Sequence, residues 1–214
     1  MDKKYELTYE TTMVGDRRLH RIRAIRDFGT VKAGTVGGFI ESEDNLSHDG
    51  NCWVGDGARV FENASVSENA EVLGTVSIDG NAVIKGDSSV RGNVIVIGEN
   101  AKICDRATVQ GYASIRGNSI IGGNTIVENW ARITNDARLE SNHDYFVIHG
   151  IGFLNETITV FKLSDGGIYI ETSQFQSGRF REFESYVIEH MNVNPNVMST
   201  YQLICTMTKL HFGS

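Results

Sequence analysis

The sequence predicts a mainly β chain: a long stack of short strands, preceded by a β cap and followed by a small α+β unit. Three observations predict it. An apolar residue opens a six-residue repeat from Val54 to Leu139, a second column of small residues runs four positions behind it, and the repeat stops before residue 150, where helical spacing takes over. The chain has 214 residues, 40% of them apolar, with 23 glycines and one proline. It therefore has material for a core, which excludes wholesale disorder.

Residues 1–47 read as the cap. Tyr5 to Val14 alternates as a strand, Gly15-Asp16 marks a hairpin turn, and Leu19 to Phe28 returns. A stack of strands leaves an apolar end at each terminus, and a cap covers it. This region carries Arg17, Arg18, Arg21, Arg23 and Arg26, five arginines within ten residues. Such a cluster reads either as a solvated strand face or as an anion site.

Residues 48–148 hold the repeat. Val54, Val60, Val66, Val72, Ile78, Ile84 and Val90 are spaced by six; the count slips once, resumes at Ile97 and runs on through Ile103, Val109, Ile115, Ile121, Val127 and Ile133 to Leu139. Four positions behind come Ala58, Ala64, Ala70, Val76, Ala82, Ser88 and Val94, then Ala101, Ala107, Ala113, Ser119, Thr125, Ala131 and Ala137, with His143 last. A period of six would smear around an α-helix of 3.6 residues per turn. It suits a short strand followed by a bend, with one large and one small inward residue per side. Pairs such as Glu62-Asn63, Gly80-Asn81 and Gly117-Asn118 occupy the bends, and they include the residue types that tolerate left-handed backbone.

The run resembles the hexapeptide repeat of left-handed parallel β-helices, in which three hexads make one triangular coil. The resemblance implies five coils from these fifteen hexads, and it supplies the hand, which spacing alone does not. The segment from Leu19 to Phe28 and the following stretch from Val31 through Gly37-Gly38-Phe39-Ile40 to Ser47 resemble the N-terminal region of YdcK-like hexapeptide proteins, found in bacteria and their phages. Many hexapeptide β-helices are acyl-CoA transferases that use a histidine between subunits as general base. No histidine lies between His48 and His143 here, so the repeat lacks that base. Acyl transfer, with a site between subunits, is the alternative reading rather than the leading one.

Residues 149–214 form the α+β unit. Thr157 to Leu163 and Ile168 to Glu171 read as strands around the turn Ser164-Asp-Gly-Gly167. Phe180, Phe183, Val187 and Met191 carry helical spacing; Asn192 to Asn196, with Pro195, reads as a loop; and a second helix runs from about Met198 to Leu210, with Tyr201, Ile204 and Leu210 inward.

The net charge of −7 is spread thinly, which argues against general nucleic-acid binding. No apolar run approaches a membrane span, and the polar start Met1-Asp-Lys-Lys4 predicts no signal peptide. Three separated cysteines, Cys52, Cys104 and Cys205, form no disulfide or zinc pattern and fit a reducing cytoplasm. No cofactor motif or metal cluster is evident.

Tyr112 and Trp130 each stand third after an opener and are 18 residues apart, so three-sided coils stack them on one edge. They read as a packing surface or as a platform for a planar ligand. Phe61, Leu73, Val83, Ile95, Ile120 and Ile126 are expected to face outward, which suggests a homo-oligomer, a trimer or a dimer. The leading expectation is a non-catalytic binding protein that uses the arginine cluster and the Tyr112/Trp130 ledge. Its partner would be a small anionic ligand or a host-defence protein; a purely structural spacer is a third reading.

Overall fold

The computed structural model describes residues 2–55, 57–96, 100–151, 155–172, 176–193 and 195–213, with Ile95 and Val96 described by their backbone alone. β1 (Tyr5–Val14) and β2 (Arg17–Ala24) form an antiparallel hairpin, and the turn between them places Gly15 at φ +60°. β2 pairs antiparallel with β3 (Val36–Ile40). From there the chain coils into a parallel β-solenoid with three faces of five rungs each.

One face holds β4 (Trp53–Val54), β7 (Glu71–Gly74), β10 (Ser89–Gly92), β13 (Thr108–Gly111) and β16 (Ile126–Val127). The next holds β5 (Arg59–Val60), β8 (Ser77–Ile78), β11 (Ile95–Val96), β14 (Ser114–Ile115) and β17 (Arg132–Ile133), and it continues through β3 into the hairpin as an eight-stranded sheet. The third holds β6 (Ser65–Val66), β9 (Val83–Ile84), β12 (Lys102–Ile103), β15 (Ile120–Ile121) and β18 (Arg138–Leu139).

The two columns do what their period requires. The openers with described side chains are fully buried, and the small column from Ala58 to Ala137 is at most 2% exposed. The slip lies elsewhere than the spacing suggests. Val96, not Ile97, aligns with Ile78 and Ile115. An extra residue inside a rung would turn every later side chain to the wrong face; the count changes between Val96 and Lys102, which again pairs in register, and Ile97 itself lies outside the described residues. At other corners, Glu62 and Glu68 take φ near +60°. Their carboxylates accept the N–H groups of Gly80 and Gly86 one coil further on, both at 2.9 Å. Amide ladders such as Asn100 to Asn118 to Asp136 run beside the Glu62–Gly80 column on the same edge.

Outward positions are less uniform than expected. Ile126 and the Tyr112/Trp130 pair are exposed, Val83 and Ile120 are half-buried, and Phe61 is buried. Leu73 is half-buried because it lies across Gly55, where a Cβ would stand 2.5 Å from its Cδ2. His143, expected inward, is exposed; the short 3₁₀ turn Asn142–Asp144 redirects the chain and buries Asp144 and Tyr145 instead.

Beyond the last coil, β19 (Tyr145–Ile151), β20 (Glu156–Lys162), β21 (Ile168–Thr172) and β22 (Gly178–Arg179) form an antiparallel sheet. β20 is apolar on both faces because both are covered. Phe161 joins the solenoid core, while Ile158 and Val160 pack with α1 (Phe180–His190) and α2 (Pro195–Phe212). Pro195 opens α2 rather than lying in a loop, since proline at the first helical position loses no hydrogen bond. Leu210 points to solvent, at 81% exposed. The three cysteines are buried free thiols. No helix among the described residues is long and apolar enough to cross a membrane.

Candidate functional site

The aromatic pair is built by the coil period. Tyr112 and Trp130 stand at equivalent corners, after β13 and β16. Their rings stack with centroids 4.4 Å apart and planes 7° from parallel, yet each is about half exposed. The column stops at Trp130 because β16 is the last rung of its face.

Two arginines flank the pair on the neighbouring face. Arg116 follows the buried Ile115 of β14, and Arg132 precedes the buried Ile133 of β17. Strand alternation turns both outward, on adjacent rungs. The C-terminal sheet closes the far side with Asn155, Thr157 and Glu171, leaving a cleft of about 370 Å³. Ser114 and Thr134 complete its polar lining. β20 is held against the last coil at this place: the Arg132 N–H donates to Thr159 Oγ1 at 3.0 Å.

The electrostatics of the cleft are unbalanced. Among the described residues neither the Arg116 nor the Arg132 guanidinium forms an ion pair or a side-chain hydrogen bond. Glu171 faces them from β21. Its burial pushes the carboxyl above its ordinary range, against the opposing pull of the Thr134 hydroxyl and of Arg132 and Arg116. The Thr134 hydroxyl donates to Glu171 Oε2 at 2.9 Å. Exposed arginine forks without a direct ion pair are ready donors for a planar or tetrahedral anion, and an exposed stacked pair is a ready platform for a ring.

The cluster on β2 has a different character. Arg17 pairs with Glu41 at 2.9 Å and with Glu62 at 3.3 Å. Arg21 pairs with Glu10 at 3.2 Å and lies over the Phe39 ring. Arg23 pairs with Glu6. Arg18 and Arg26 are exposed. Six strand steps separate β2 from β17 in their shared sheet, about 29 Å at the usual interstrand spacing. The structure thus separates the arginine cluster from the Tyr112/Trp130 ledge and brings the ledge together with Arg116 and Arg132 instead.

Arg116 and Arg132 escaped sequence reasoning because each stands alone in the chain. The signal that identifies them is positional: each flanks an opener on the face that follows the aromatic corner. Glu171 comes from another unit, and nothing in the repeat points to it. No histidine lines the cleft, although His149 Nδ1 reaches its rim, 3.0 Å from Thr157 Oγ1. No group of three or more metal-ligating side chains occurs among the described residues.

No protein-family model matches the chain. A segment of 38 residues, 18% of the chain, is 53% identical to the Escherichia coli (strain K12) protein named "Uncharacterized acetyltransferase YdcK". The match spans 12% of that protein's length. It agrees with the hexapeptide-repeat β-helix seen here and leaves the activity of the longer protein outside the comparison.

Proposed function

We propose that this chain is a non-catalytic binding protein that holds a small anionic molecule with a planar ring in the cleft between its last coils and its C-terminal sheet. One observation carries this reading: a half-exposed aromatic stack lies beside two arginines that form no direct ion pair among the described residues. Ring stacking and paired guanidiniums supply attraction without any bond-making group. A general base would need to lie within hydrogen-bond reach of a substrate. The polar groups that line the cleft are hydroxyls, an amide, two arginines and one carboxyl, Glu171, whose Oε2 accepts from Thr134; no histidine is among them. The similarity to an acetyltransferase keeps acyl transfer as the second reading. Inhibition of a host protein is disfavoured because the cleft has the volume of a small ligand, near the lower end for such sites.

Isothermal titration tests the reading. The panel contains nucleotides, aromatic carboxylates and acetyl-CoA. At least one planar anion is expected to bind the unaltered chain and to lose its heat signal with the Arg116→Ala/Arg132→Ala double variant. Failure of every planar anion to bind, or binding that survives in the double variant, overturns the proposal. Acetyl-CoA turnover with an amine or hydroxyl acceptor would replace it with the transferase reading.

A further inference from the structure

The shape and chemistry of the cleft restrict its ligand further. The aromatic column grows by one ring per coil, and the coil supplies no ring after Trp130. A ring entering the cleft continues that column, in the position the next rung would have filled. This favours a flat heteroaromatic ring over a branched or aliphatic group.

The anionic end is specified by the two arginines. Arg116 and Arg132 rise from adjacent rungs, one just after its buried opener and one just before, so their backbone positions are diagonal neighbours. A single planar carboxylate is filled by one bidentate guanidinium. A tetrahedral phosphate monoester has three terminal oxygens and can take donors from both forks at once. The cleft of about 370 Å³ leaves room beyond one ring and one anion. Its remaining lining is hydroxyl and amide (Ser114, Asn155, Thr157), which matches a polyhydroxylated connector and not a hydrocarbon one. Glu171 adds an acceptor: Oε2 takes the Thr134 hydroxyl, and the rest of the carboxyl faces the cleft for a sugar hydroxyl or a ring amine.

We infer that the ligand is a nucleoside 5′-monophosphate, with its base stacked on Trp130, its phosphate held between Arg116 and Arg132, and its hydroxyl or amine donors turned toward Glu171. This rests on the binding reading given above and specifies its ligand class.

The test uses the full chain and four probes by titration calorimetry: 5′-AMP, adenosine, inorganic phosphate and 4-hydroxybenzoate. AMP is expected to bind at least about tenfold more tightly than each of the others, the equivalent of about 1.4 kcal/mol. Trp130→Ala should weaken AMP by about tenfold or more, in line with the worth of one base–aromatic stack. Arg116→Ala/Arg132→Ala should erase the preference for AMP over adenosine. All three altered residues are exposed, and unchanged melting by circular dichroism checks that the variants fold. If 4-hydroxybenzoate or adenosine equals AMP and the double arginine variant abolishes that binding, the nucleotide assignment is wrong while the anion cleft stands. If none of the four probes binds, the nucleotide assignment is also wrong, and the wider panel decides whether the cleft reading falls with it.

Discussion

At its N-terminal end the first coil presents backbone carbonyls to the cap; at its C-terminal end the last coil presents both N–H groups and carbonyls. Outside the strands the coil-to-coil bonds run forward, each coil's N–H groups donating to the carbonyls of the next coil, as Trp53 does to Ala70 and Gly55 to Val72, while the parallel strand pairs add bonds in the return direction. The ends therefore differ in the chemistry they need. The N-terminal cap brings donors. The Asn45 amide donates to the carbonyls of Glu62 and Ala64 at 3.0 and 2.8 Å, and the fully buried Lys4 ammonium donates to those of Asp49 and Gly50. The C-terminal cap brings acceptors as well as donors: Asn142 Oδ1 takes the Ile126 N–H and Thr159 Oγ1 takes that of Arg132, while the Tyr145 hydroxyl donates to the Ile126 carbonyl at 2.6 Å and the Ser164 N–H to that of Asp136 at 2.8 Å.

The same local device is adapted at each end. Ser42 caps a 3₁₀ turn ending in Asn45, and Ser141 caps one ending in Asp144. In both turns the last side chain accepts two backbone N–H groups, from Glu41 and Ser42 in the first and from Glu140 and Ser141 in the second. Asn45 must also donate to the first coil, so it is an amide. Asp144 meets no coil carbonyl and accepts from Lys162 at 2.6 Å instead. The arginines follow the same division. Those of β2 that face carboxylates form direct ion pairs, whereas Arg116 and Arg132 at the other end face Glu171 without one. The N-terminal end is a closed cap, and the C-terminal end is a cap with an open cleft beside it.

Exchanging the two turn residues should break this comparison unequally. Asn45→Asp leaves two buried carbonyls without donors and sets a carboxylate against them. We expect a loss of about 3 kcal/mol or more in denaturant unfolding. Asp144→Asn keeps an acceptor for Glu140 and Ser141 and forfeits only the Lys162 pair, so about 1–2 kcal/mol is expected. Equal losses would mean that ladder polarity does not govern the ends.

Acid should sharpen the contrast by a smaller amount. Burial holds His48, stacked on Tyr5, below its ordinary imidazole range, against the pull of Glu43. Its contribution is complete above the unfolded imidazole value and is lost as pH falls from there through the lowered folded value. Burial opposes ionisation of Asp144, but Lys162, Glu140 and Ser141 together hold it below the usual carboxylate range. Its contribution is complete above the unfolded carboxylate value and is lost as pH falls below it. Hydrogen exchange across a pH series is therefore expected to show residues 5–48 loosening first and residues 140–146 only in stronger acid. The reverse order would contradict the assignment. In the cleft the sign is opposite. Glu171 has a raised carboxyl, so acid that protonates it removes a negative charge beside Arg116 and Arg132 and should tighten anion binding modestly.

The solenoid was legible because a six-residue period with large and small columns has few physical solutions, and the described members of both columns are buried as read except His143. The slip was misplaced because Val96 and Ile97 are both apolar and β-branched, and only pairing with Ile78 and Ile115 tells them apart. The stacking of Tyr112 on Trp130 followed from their 18-residue spacing. The arginine partners did not, because a charge cluster in sequence says nothing of the carboxylates a neighbouring strand sets opposite it. Glu41 and Glu62 neutralise Arg17 across 24 and 45 residues of chain, while the isolated Arg116 and Arg132 meet only in the fold.

Hydrogen–deuterium exchange with and without 5′-AMP compares the two ends most directly. Protection is expected at residues 112–116, 130–134 and 155–159, with residues 17–26 unchanged. Protection at 17–26 with none at the aromatic corner would place the anion at the closed cap and contradict the cleft.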